Sequence, residues 1–259
     1  MKRILCIICT LLLTCAAFAQ APVEIHLWPD GAPDSNGITA PEGRNANNRV
    51  INVTDPTITV YRAAKPNGQA VIMCPGGGYV HLSIDHEGHD MAAWFNNQGI
   101  TYIVLKYRMP NGHNEVILSD IHQAIRLVRE HASKWGVRTV GVMGASAGGH
   151  MASIASTNFD KDTRPDFQVI FYGAMGMTGG ATTDTMVTPE TPQAFLMVSA
   201  DDGLSEQSIK YYQALRKNGV SACLHIYPTG GHGWGFKDSF TYKPLWTAEL
   251  EKWLREINR

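Results

Sequence analysis

The sequence has no excess of charge of either sign, no internal repeat and no low-complexity tract. It carries 22 basic and 23 acidic side chains among 259 residues, a formal net charge of −1. A balanced charge gives no electrostatic reason to expect nucleic acid or an anionic membrane surface as a partner. Hydrophobic residues make up 44% of the chain. That is enough apolar material for one sizeable core, and α/β folds of this length often form a single domain.

Cysteine is scarce beyond the first residues of the chain. Of five cysteines, Cys6, Cys9 and Cys15 stand near the N-terminus, and Cys74 and Cys223 remain in apolar runs typical of strands. Two distant strand cysteines do not imply a disulfide framework, and we expect them to be buried free thiols.

The N-terminus has the pattern of a secretory signal peptide. Two basic residues precede an apolar run over residues 4–13, and Ala-Phe-Ala at 17–19 forms a small-residue cleavage site. The run is too short for a membrane span. This predicts a signal peptide over 1–19, a single domain over 20–259 and a secreted or periplasmic protein. Lipid anchoring through Cys15 is the alternative, although the threonine before it fits that signal poorly.

Apolar strand patterns alternate with helical periodicity along the rest of the chain. Predicted strands cover residues 57–62, 70–74, 101–105, 139–143, 167–171, 195–199 and 222–227. Predicted helices cover residues 91–98, 116–135, 147–156, 205–217 and 245–257, and residues 28–48 are expected to be irregular surface.

This alternation predicts an α/β fold with a parallel sheet covered by helices on both faces. Functional residues of such sheets stand in the loops that follow the carboxyl ends of the strands.

The strongest chemical signal is the sequence Gly-Ala-Ser-Ala-Gly-Gly at residues 144–149. It follows a predicted strand and opens a predicted helix, which is the context of a nucleophile elbow. The small neighbours allow a tight turn that exposes the serine, and the helix N-terminus favours negative charge. The pattern predicts Ser146 as a nucleophile.

A serine hydroxyl is a weak nucleophile and needs a base with an orienting acid. In the α/β-hydrolase order the acid and then the histidine follow the serine. His232 lies in a glycine-rich loop after the last strand, whereas His225 is inside that strand, so His232 is the predicted base. The acid is expected directly after the strand at 195–199, where we favour Asp201 and expect Asp202 to be a solvated turn or capping residue.

An oxyanion hole needs backbone amides aimed at the developing charge. One predicted donor is the amide of Ala147, directly after the nucleophile. The other is expected from the loop Pro-Gly-Gly-Gly-Tyr at residues 75–79, where three glycines after an apolar strand let the backbone approach a ligand.

The segment Asp-His-Glu-Gly-His-Asp at residues 85–90 could suggest a metal site. Its spacing is not the H-E-x-x-H of zinc proteases, and we therefore expect no metal ligands there. Glu87 is expected at a helix start or behind the site, and residues 106–108 together with Asp120 are expected to be structural.

Seven motifs together resemble those of bacterial secreted carbohydrate esterases, the acetylxylan and feruloyl esterase-like α/β hydrolases. They stand at residues 27–33, 74–79, 86–88, 105–108, 144–150, 192–196 and 230–236 and extend over nearly all of the chain after the signal. The resemblance implies an α/β-hydrolase fold with about eight strands, ester cleavage on acylated plant polysaccharide and no cofactor. For the site it implies a triad of Ser146, Asp201 and His232, with Gly77, Gly78 and Ala147 as oxyanion donors.

The chain departs from this family in two places. The Val-Pro that usually follows the aspartate is missing from residues 201–208, and the polar stretch over 172–190 is short where many relatives insert a lid. Little or no lid predicts an open cleft, beside which Tyr79 and Trp234 are expected to stack on sugar rings.

Three other functions compete with the esterase interpretation. Prolyl peptidases share this fold, but they normally carry a large additional domain for which this chain has no room. A lipase would need an apolar lid or an acyl tunnel, which the sequence does not indicate. A carbohydrate-binding protein without activity would not need an ordered serine, aspartate and histidine. The sequence leaves open whether acetyl or feruloyl is the natural acyl group.

Overall fold

The computed structural model describes residues 21–177 and 183–259, so the predicted signal peptide over 1–19 lies outside the described residues. Its strands are β1 (Val23–His26), β2 (Gly43–Arg44), β3 (Val50–Ile51), β4 (Thr57–Tyr61), β5 (Gln69–Cys74), β6 (Thr101–Lys106), β7 (Thr139–Ala145), β8 (Phe167–Phe171), β9 (Gln193–Ser199) and β10 (Ala222–Tyr227). Eight of them form one sheet in the order β1-β4-β6-β5-β7-β8-β9-β10. Strands β6, β5 and β7 to β10 are parallel, whereas β1 and β4 are antiparallel to their neighbours.

The helices are α1 (Ala92–Asn97), α2 (Glu115–Glu130), α3 (Ala132–Trp135), α4 (Ala147–Ala155), α5 (Ser205–Lys217) and α6 (Lys243–Ile257). Helices α2 and α4 pack on each other, and α1 and α6 meet through the rings of Trp94 and Trp246. The apolar side chains of the strands are therefore covered on both faces, and all six residues of β5 are buried. This confirms the predicted α/β-hydrolase fold with a mostly parallel eight-stranded sheet.

The sequence patterns did not predict three local features. Strand β1 at the sheet edge was not predicted, and the short β2–β3 hairpin lies across the end of the segment expected to be irregular. The single helix predicted over 116–135 is divided at His131, whose ring bonds the carbonyl of Leu127 at 2.9 Å. Gly136 has φ of 66°, a left-handed conformation that ends the second helix.

The strand register brings the predicted site loops to one edge of the sheet. Cys74 at the end of β5 pairs with Gly144 of β7, and Ala145 pairs with Phe171 at the end of β8. Ser199 at the end of β9 pairs with the last residue of β10. The loops after β5, β7, β8, β9 and β10 therefore begin at the same edge, as expected for a parallel sheet.

A buried ion pair joins α2 to the loop after β6. The guanidinium of Arg108 donates to Asp120 from Nη2 at 2.7 Å and from Nε at 3.0 Å, and both side chains are at most 1% exposed. The carboxylate also accepts from the Arg108 amide at 2.9 Å and from Trp28 Nε1 at 3.0 Å. Asp120 therefore attaches the N-terminal lead to the sheet, in the structural role that the sequence predicted.

The two cysteines beyond the predicted signal are free thiols. Cys74 is fully buried and Cys223 is half-buried, so the expectation of buried thiols holds fully for the first and partly for the second. Burial raises the pKa of Cys74 well above its ordinary value, which keeps this thiol protonated and unreactive. Within residues 21–177 and 183–259, no helix has the length and apolar character needed to cross a membrane.

The Asp120→Ala substitution is expected to lower the free energy of unfolding by about 3–5 kcal/mol, because it leaves the guanidinium of Arg108 buried without its partner. Urea unfolding followed by tryptophan fluorescence measures the loss. The matched control is Asp238→Ala, because Asp238 pairs with Lys243 at 2.7 Å but is 98% exposed. The control is expected to change stability little. Equal losses in the two variants would contradict a structural role specific to Asp120.

Candidate active site

Ser146 stands on a strained turn between β7 and α4. Its φ of 54° and ψ of −117° lie outside the regions that most L-residues adopt. Two hydrogen bonds hold this turn: the Ser146 amide donates to the carbonyl of Phe171 at 3.0 Å, and the amide of Ala174 donates to the Ser146 carbonyl at 3.1 Å. The loop after β8 therefore fixes the backbone that presents the serine side chain.

The glycines around Ser146 are required by close contacts. A Cβ atom at Gly144 would lie 2.0 Å from the carbonyl oxygen of Gly148, and one at Gly148 would lie 1.9 Å from the carbonyl oxygen of Cys74. Neither contact is possible without moving backbone. The G-x-S-x-G spacing thus lets the first turn of α4 pack against the ends of β5 and β7.

The serine and His232 form a chain of hydrogen bonds with a buried carboxylate. Ser146 Oγ donates to His232 Nε2 at 2.8 Å, and His232 Nδ1 donates to Asp202 Oδ2 at 2.8 Å. The Asp202 side chain is 1% exposed, whereas that of His232 is 42% exposed. The hydrogen bond to Asp202 raises the pKa of His232 above its ordinary value, against the opposing effect of burial. This arrangement suits an imidazole that accepts a proton from the serine.

The prediction that Asp201 contacts the imidazole is wrong in this structure, where Asp202 occupies that position. The Asp201 carboxylate is exposed and accepts hydrogen bonds from the amides of Gly231 at 2.8 Å and Gly230 at 3.2 Å. These amides, Gly231 first, lower the pKa of Asp201. Asp201 therefore holds the loop that carries His232 and does not touch its ring.

The exchange of roles follows from the turn after β9. The Asp202 amide donates to the carbonyl of Ser199 at 3.1 Å, and Asp202 Oδ1 accepts from the amide of Leu204 at 2.8 Å. This tight turn directs the second aspartate inward and leaves the first at the surface. The choice of Asp201 rested on its proximity to the end of the strand. That proximity does not indicate which of the two side chains points inward.

The glycine loop after β5 lines an open cleft of about 410 Å³ together with Ser146 and His232. Gly77 and Gly78 have φ of 138° and 65°, which favour glycine. Among the described residues, their amides make no hydrogen bond to a protein acceptor. Ala147 is the first residue of α4, so its amide has no partner within the helix. Within residues 21–177 and 183–259, three amides near the serine are thus without a protein acceptor.

Tyr79 and Trp234 do not stand beside the cleft as stacking surfaces, contrary to the sequence prediction. Tyr79 is 7% exposed and its hydroxyl lies 2.8 Å from Nδ1 of His150. Burial lowers the pKa of that histidine to about 4, so the ring is neutral at neutral pH. Trp234 is 4% exposed, donates to the Ser199 hydroxyl at 3.1 Å and stacks on Phe240. Both aromatics instead pack the loops that hold the site.

A buried hydrogen-bond network connects three of the site loops. Glu87 is 3% exposed and accepts from the amide of Gly76 at 3.1 Å and from the hydroxyl of Tyr172 at 2.7 Å. The Tyr172 oxygen in turn accepts from the amide of Gly235 at 2.8 Å, and its ring packs edge-on against His232. The sequence indicated a supporting place for Glu87, but nothing in it pointed to Tyr172.

The segment at residues 85–90 is occupied by protein contacts. Asp85 accepts from Arg44 and Asn48, and His89 lies 2.8 Å from the hydroxyl of Tyr61. In the part of the chain that the structure describes, no group of three histidine, cysteine, aspartate or glutamate side chains could hold a metal ion.

Two curated proteins are similar to this chain in sequence. An acetylxylan esterase of Xylanibacter ruminicola is 33% identical over a match that covers 83% of this chain. Endo-1,4-beta-xylanase B of Butyrivibrio fibrisolvens is 28% identical over a match that covers 63% of this chain. The chain spans 52% and 32% of the length of these two curated relatives.

Solved structures of hydrolases share the fold. The crystal structure of an acetyl ester-xyloside bifunctional hydrolase from Caldicellulosiruptor lactoaceticus is 32% identical, with a TM-score of 0.73. The match covers 91% of this chain and 96% of that one. The BD-FAE family matches residues 58–202, which is more than half of the sequence. On this match, the chain belongs to the BD-FAE family.

Proposed function

We propose that the protein is a serine carboxylic ester hydrolase that removes acetyl groups from xylan or a related plant polysaccharide. The observation that carries the proposal is the chain of two 2.8 Å hydrogen bonds from Ser146 through His232 to Asp202, at the wall of an open cleft. A nucleophile, a base and an orienting acid in this order are the requirements of acyl transfer through a covalent intermediate.

In the first step Ser146 Oγ attacks the ester carbonyl while its proton moves to His232 Nε2. Asp202 accepts the hydrogen bond from Nδ1 and stabilises the imidazolium that forms. Collapse of the tetrahedral intermediate breaks the bond to the sugar oxygen, which takes the proton back from His232. The products of this step are the free sugar hydroxyl and an acetylated Ser146.

In the second step water attacks the acetyl-serine, with His232 again taking the proton. The carboxylic acid leaves and Ser146 regains its proton from the imidazole. In both steps the negative oxygen accepts hydrogen bonds from the Ala147 amide and from the glycine loop at Gly77 and Gly78. The free amides and the absence of a Cβ at both glycines support this assignment. Every role is filled by a side chain or an amide, so the mechanism needs no cofactor.

The names of the relatives support acetylated xylan as the substrate, since one is called an acetylxylan esterase and a structural neighbour an acetyl ester-xyloside bifunctional hydrolase. A feruloyl ester is the second candidate. Val80 is 69% exposed and Met177 is 39% exposed, and a Cβ built on Gly78 would contact both. These two apolar side chains beside the proposed oxyanion hole could contact either the methyl of an acetyl group or an aromatic ring.

The cleft does not support cleavage of the glycosidic bond, although one relative is called a xylanase and a structural neighbour an acetyl ester-xyloside bifunctional hydrolase. Glycosidases use two carboxyl groups that flank the scissile bond. Among the described residues that line the cleft, Glu87 is the one carboxylate, and the Gly76 amide and the Tyr172 hydroxyl already engage it.

We further propose that residues 1–19 are a cleaved leader, that 20–259 form one domain and that the protein acts outside the cytoplasm. The apolar run and the small-residue cleavage site support this. Mass measurement of the protein recovered from the periplasm or the medium checks it, and an intact Met1 there would contradict it.

The substrate proposal predicts acetic acid release from acetylated xylo-oligosaccharides. It also predicts a higher kcat/KM on p-nitrophenyl acetate than on the octanoate, because the described residues that line the cleft are glycines and polar side chains, which offer a long alkyl chain little apolar contact. The measurements are kcat/KM on acetate, butyrate, octanoate and methyl ferulate, with acetate release from xylan alongside. A preference for octanoate would favour a lipase, and a ferulate rate well above acetate would favour the feruloyl assignment.

The Ser146→Ala substitution is expected to lower kcat on p-nitrophenyl acetate by on the order of 10⁶-fold, because it removes the nucleophile. The matched control is Ser133→Ala, which removes the hydroxyl of an exposed serine on α3 and should leave kcat unchanged. Urea unfolding shows whether the inactive variant is folded. A folded Ser146→Ala protein with a tenth of the activity would refute the assignment.

The two neighbouring aspartates are expected to respond very differently to amidation. Asp202→Asn should lower kcat by about 10⁴-fold, since an amide holds the imidazole in the wrong tautomer. Asp201→Asn should cost less than about tenfold, because an amide oxygen still accepts one hydrogen bond from the His232 loop. A larger loss in the Asp201 variant would restore the choice made from the sequence.

A pH profile separates an electrostatic role of Asp202 from a purely structural one. The base must be neutral, so kcat/KM falls as the pH falls through the pKa of His232. That pKa is raised above 6.5 chiefly by Asp202. The acid limb is therefore expected above pH 6.5 in the natural protein and at lower pH in Asp202→Asn. An unmoved limb would contradict the role.

A further inference from the structure

Two basic side chains line the cleft beside the Ser146–His232 pair. Arg49 stands directly before β3, and Lys237 follows the loop that carries His232. They come from opposite ends of the sequence, and with Gly77 and Gly78 they form the wall of the same 410 Å³ opening. The reacting serine therefore faces a space with fixed positive charge on its border.

Neither cation has a carboxylate partner within the described residues. Arg49 donates to the hydroxyl of Ser83, and Lys237 donates to the carbonyl of Gly233 at 2.9 Å. Both partners are neutral. Glu87, the carboxylate of the cleft wall, is 3% exposed and its hydrogen bonds go to the Gly76 amide and the Tyr172 hydroxyl.

Besides His232, two histidines line the cleft, and neither adds to this charge at neutral pH. Burial lowers the pKa of His86, and Lys237 and Arg49 lower it further while Glu87 opposes them. The pKa of His81 is lowered by burial and then by Arg49. Arg49, Lys237 and His86 all line this cleft. Basic side chains that have no carboxylate partner attract ligands of negative charge.

We propose that this cleft binds a carboxylate carried by the sugar chain next to the acetylated unit, with Arg49 and Lys237 as its ligands. The inference rests on the proposed function and names a substrate class for it: acetylated xylo-oligosaccharides that carry a uronic acid. An acetyl group has no charge, so in this assignment the carboxylate belongs to the alcohol side of the ester. A guanidinium offers two parallel donors to such a group, and an ammonium adds a mobile charge.

The test compares two acetylated xylo-oligosaccharides that differ in one uronic acid substituent. The natural protein should have about a fivefold higher kcat/KM on the uronate-bearing substrate, carried by KM, which is the scale of a solvent-exposed ion pair. Lys237→Gln and Arg49→Gln should each remove most of this ratio. Lys217→Gln makes the same chemical change at an exposed lysine outside the cleft and should keep the ratio.

The salt dependence of this ratio and a second charged substrate show on which side of the ester the carboxylate is bound. The ratio should fall from about 0.01 M to about 1 M salt, because the screening distance shortens from about 30 Å to about 3 Å. The p-nitrophenyl monoester of succinate carries its carboxylate on the acyl side, and it should show no preference over the uncharged butyrate. A preference for the succinate without one for the uronate would overturn the sugar-side assignment.

Failure of the inference is distinguishable from failure of the proposed function. Equal rates on the neutral and uronate substrates, or a ratio that Lys237→Gln and Arg49→Gln leave intact, would overturn the carboxylate site while acetyl release still supports the esterase. Acetyl release from neither oligosaccharide, with p-nitrophenyl acetate still hydrolysed, would overturn both the polysaccharide substrate and the site.

Discussion

The site depends on the close approach of α4 to the ends of β5 and β7. Gly148 lies so near the carbonyl of Cys74, and Gly144 so near Gly148, that a side chain at either glycine would separate the helix from the sheet. This packing, together with the hydrogen bonds to Phe171 and Ala174, holds Ser146 at a φ of 54°. A strained conformation persists when its surroundings over-determine it. Buried strands and a small-residue helix thus supply the rigidity that an exposed nucleophile needs.

The other groups of the site stand on loops, and buried hydrogen bonds give those loops fixed places. Glu87 joins the glycine loop after β5 to Tyr172, and Tyr172 joins the loop after β8 to Gly235 beyond His232. Tyr79 and Trp234 add packing to the same loops. Glu87, Tyr79 and Trp234 therefore stabilise the loops around the nucleophile and the base.

The sequence predicted most of the fold because buried parallel strands have a strong local pattern. Its apolar runs and the turn around Ser146 can be recognised within a few consecutive residues, and the structure confirms both. Other features depend on distant partners. Strand β1 is fixed by its pairing with β4, and the burial of Tyr79 depends on its contact with His150. Arg49 lines the cleft although it is far from Ser146 in the chain. Periodicity and motif spacing contain no information about such contacts.

The dipeptide at residues 201 and 202 shows how one turn gives two identical side chains different tasks. The turn buries the Asp202 carboxylate against the imidazole, where its hydrogen bond orients the ring and raises the pKa of His232. The same turn leaves Asp201 in solvent. Its carboxylate accepts hydrogen bonds from the amides of Gly230 and Gly231 and so fixes the loop that carries His232. One carboxylate sets the charge and tautomer of the base, and its neighbour sets the position of the backbone. Because both follow the same strand, the direction of each side chain, and not its distance from the strand, assigns the roles.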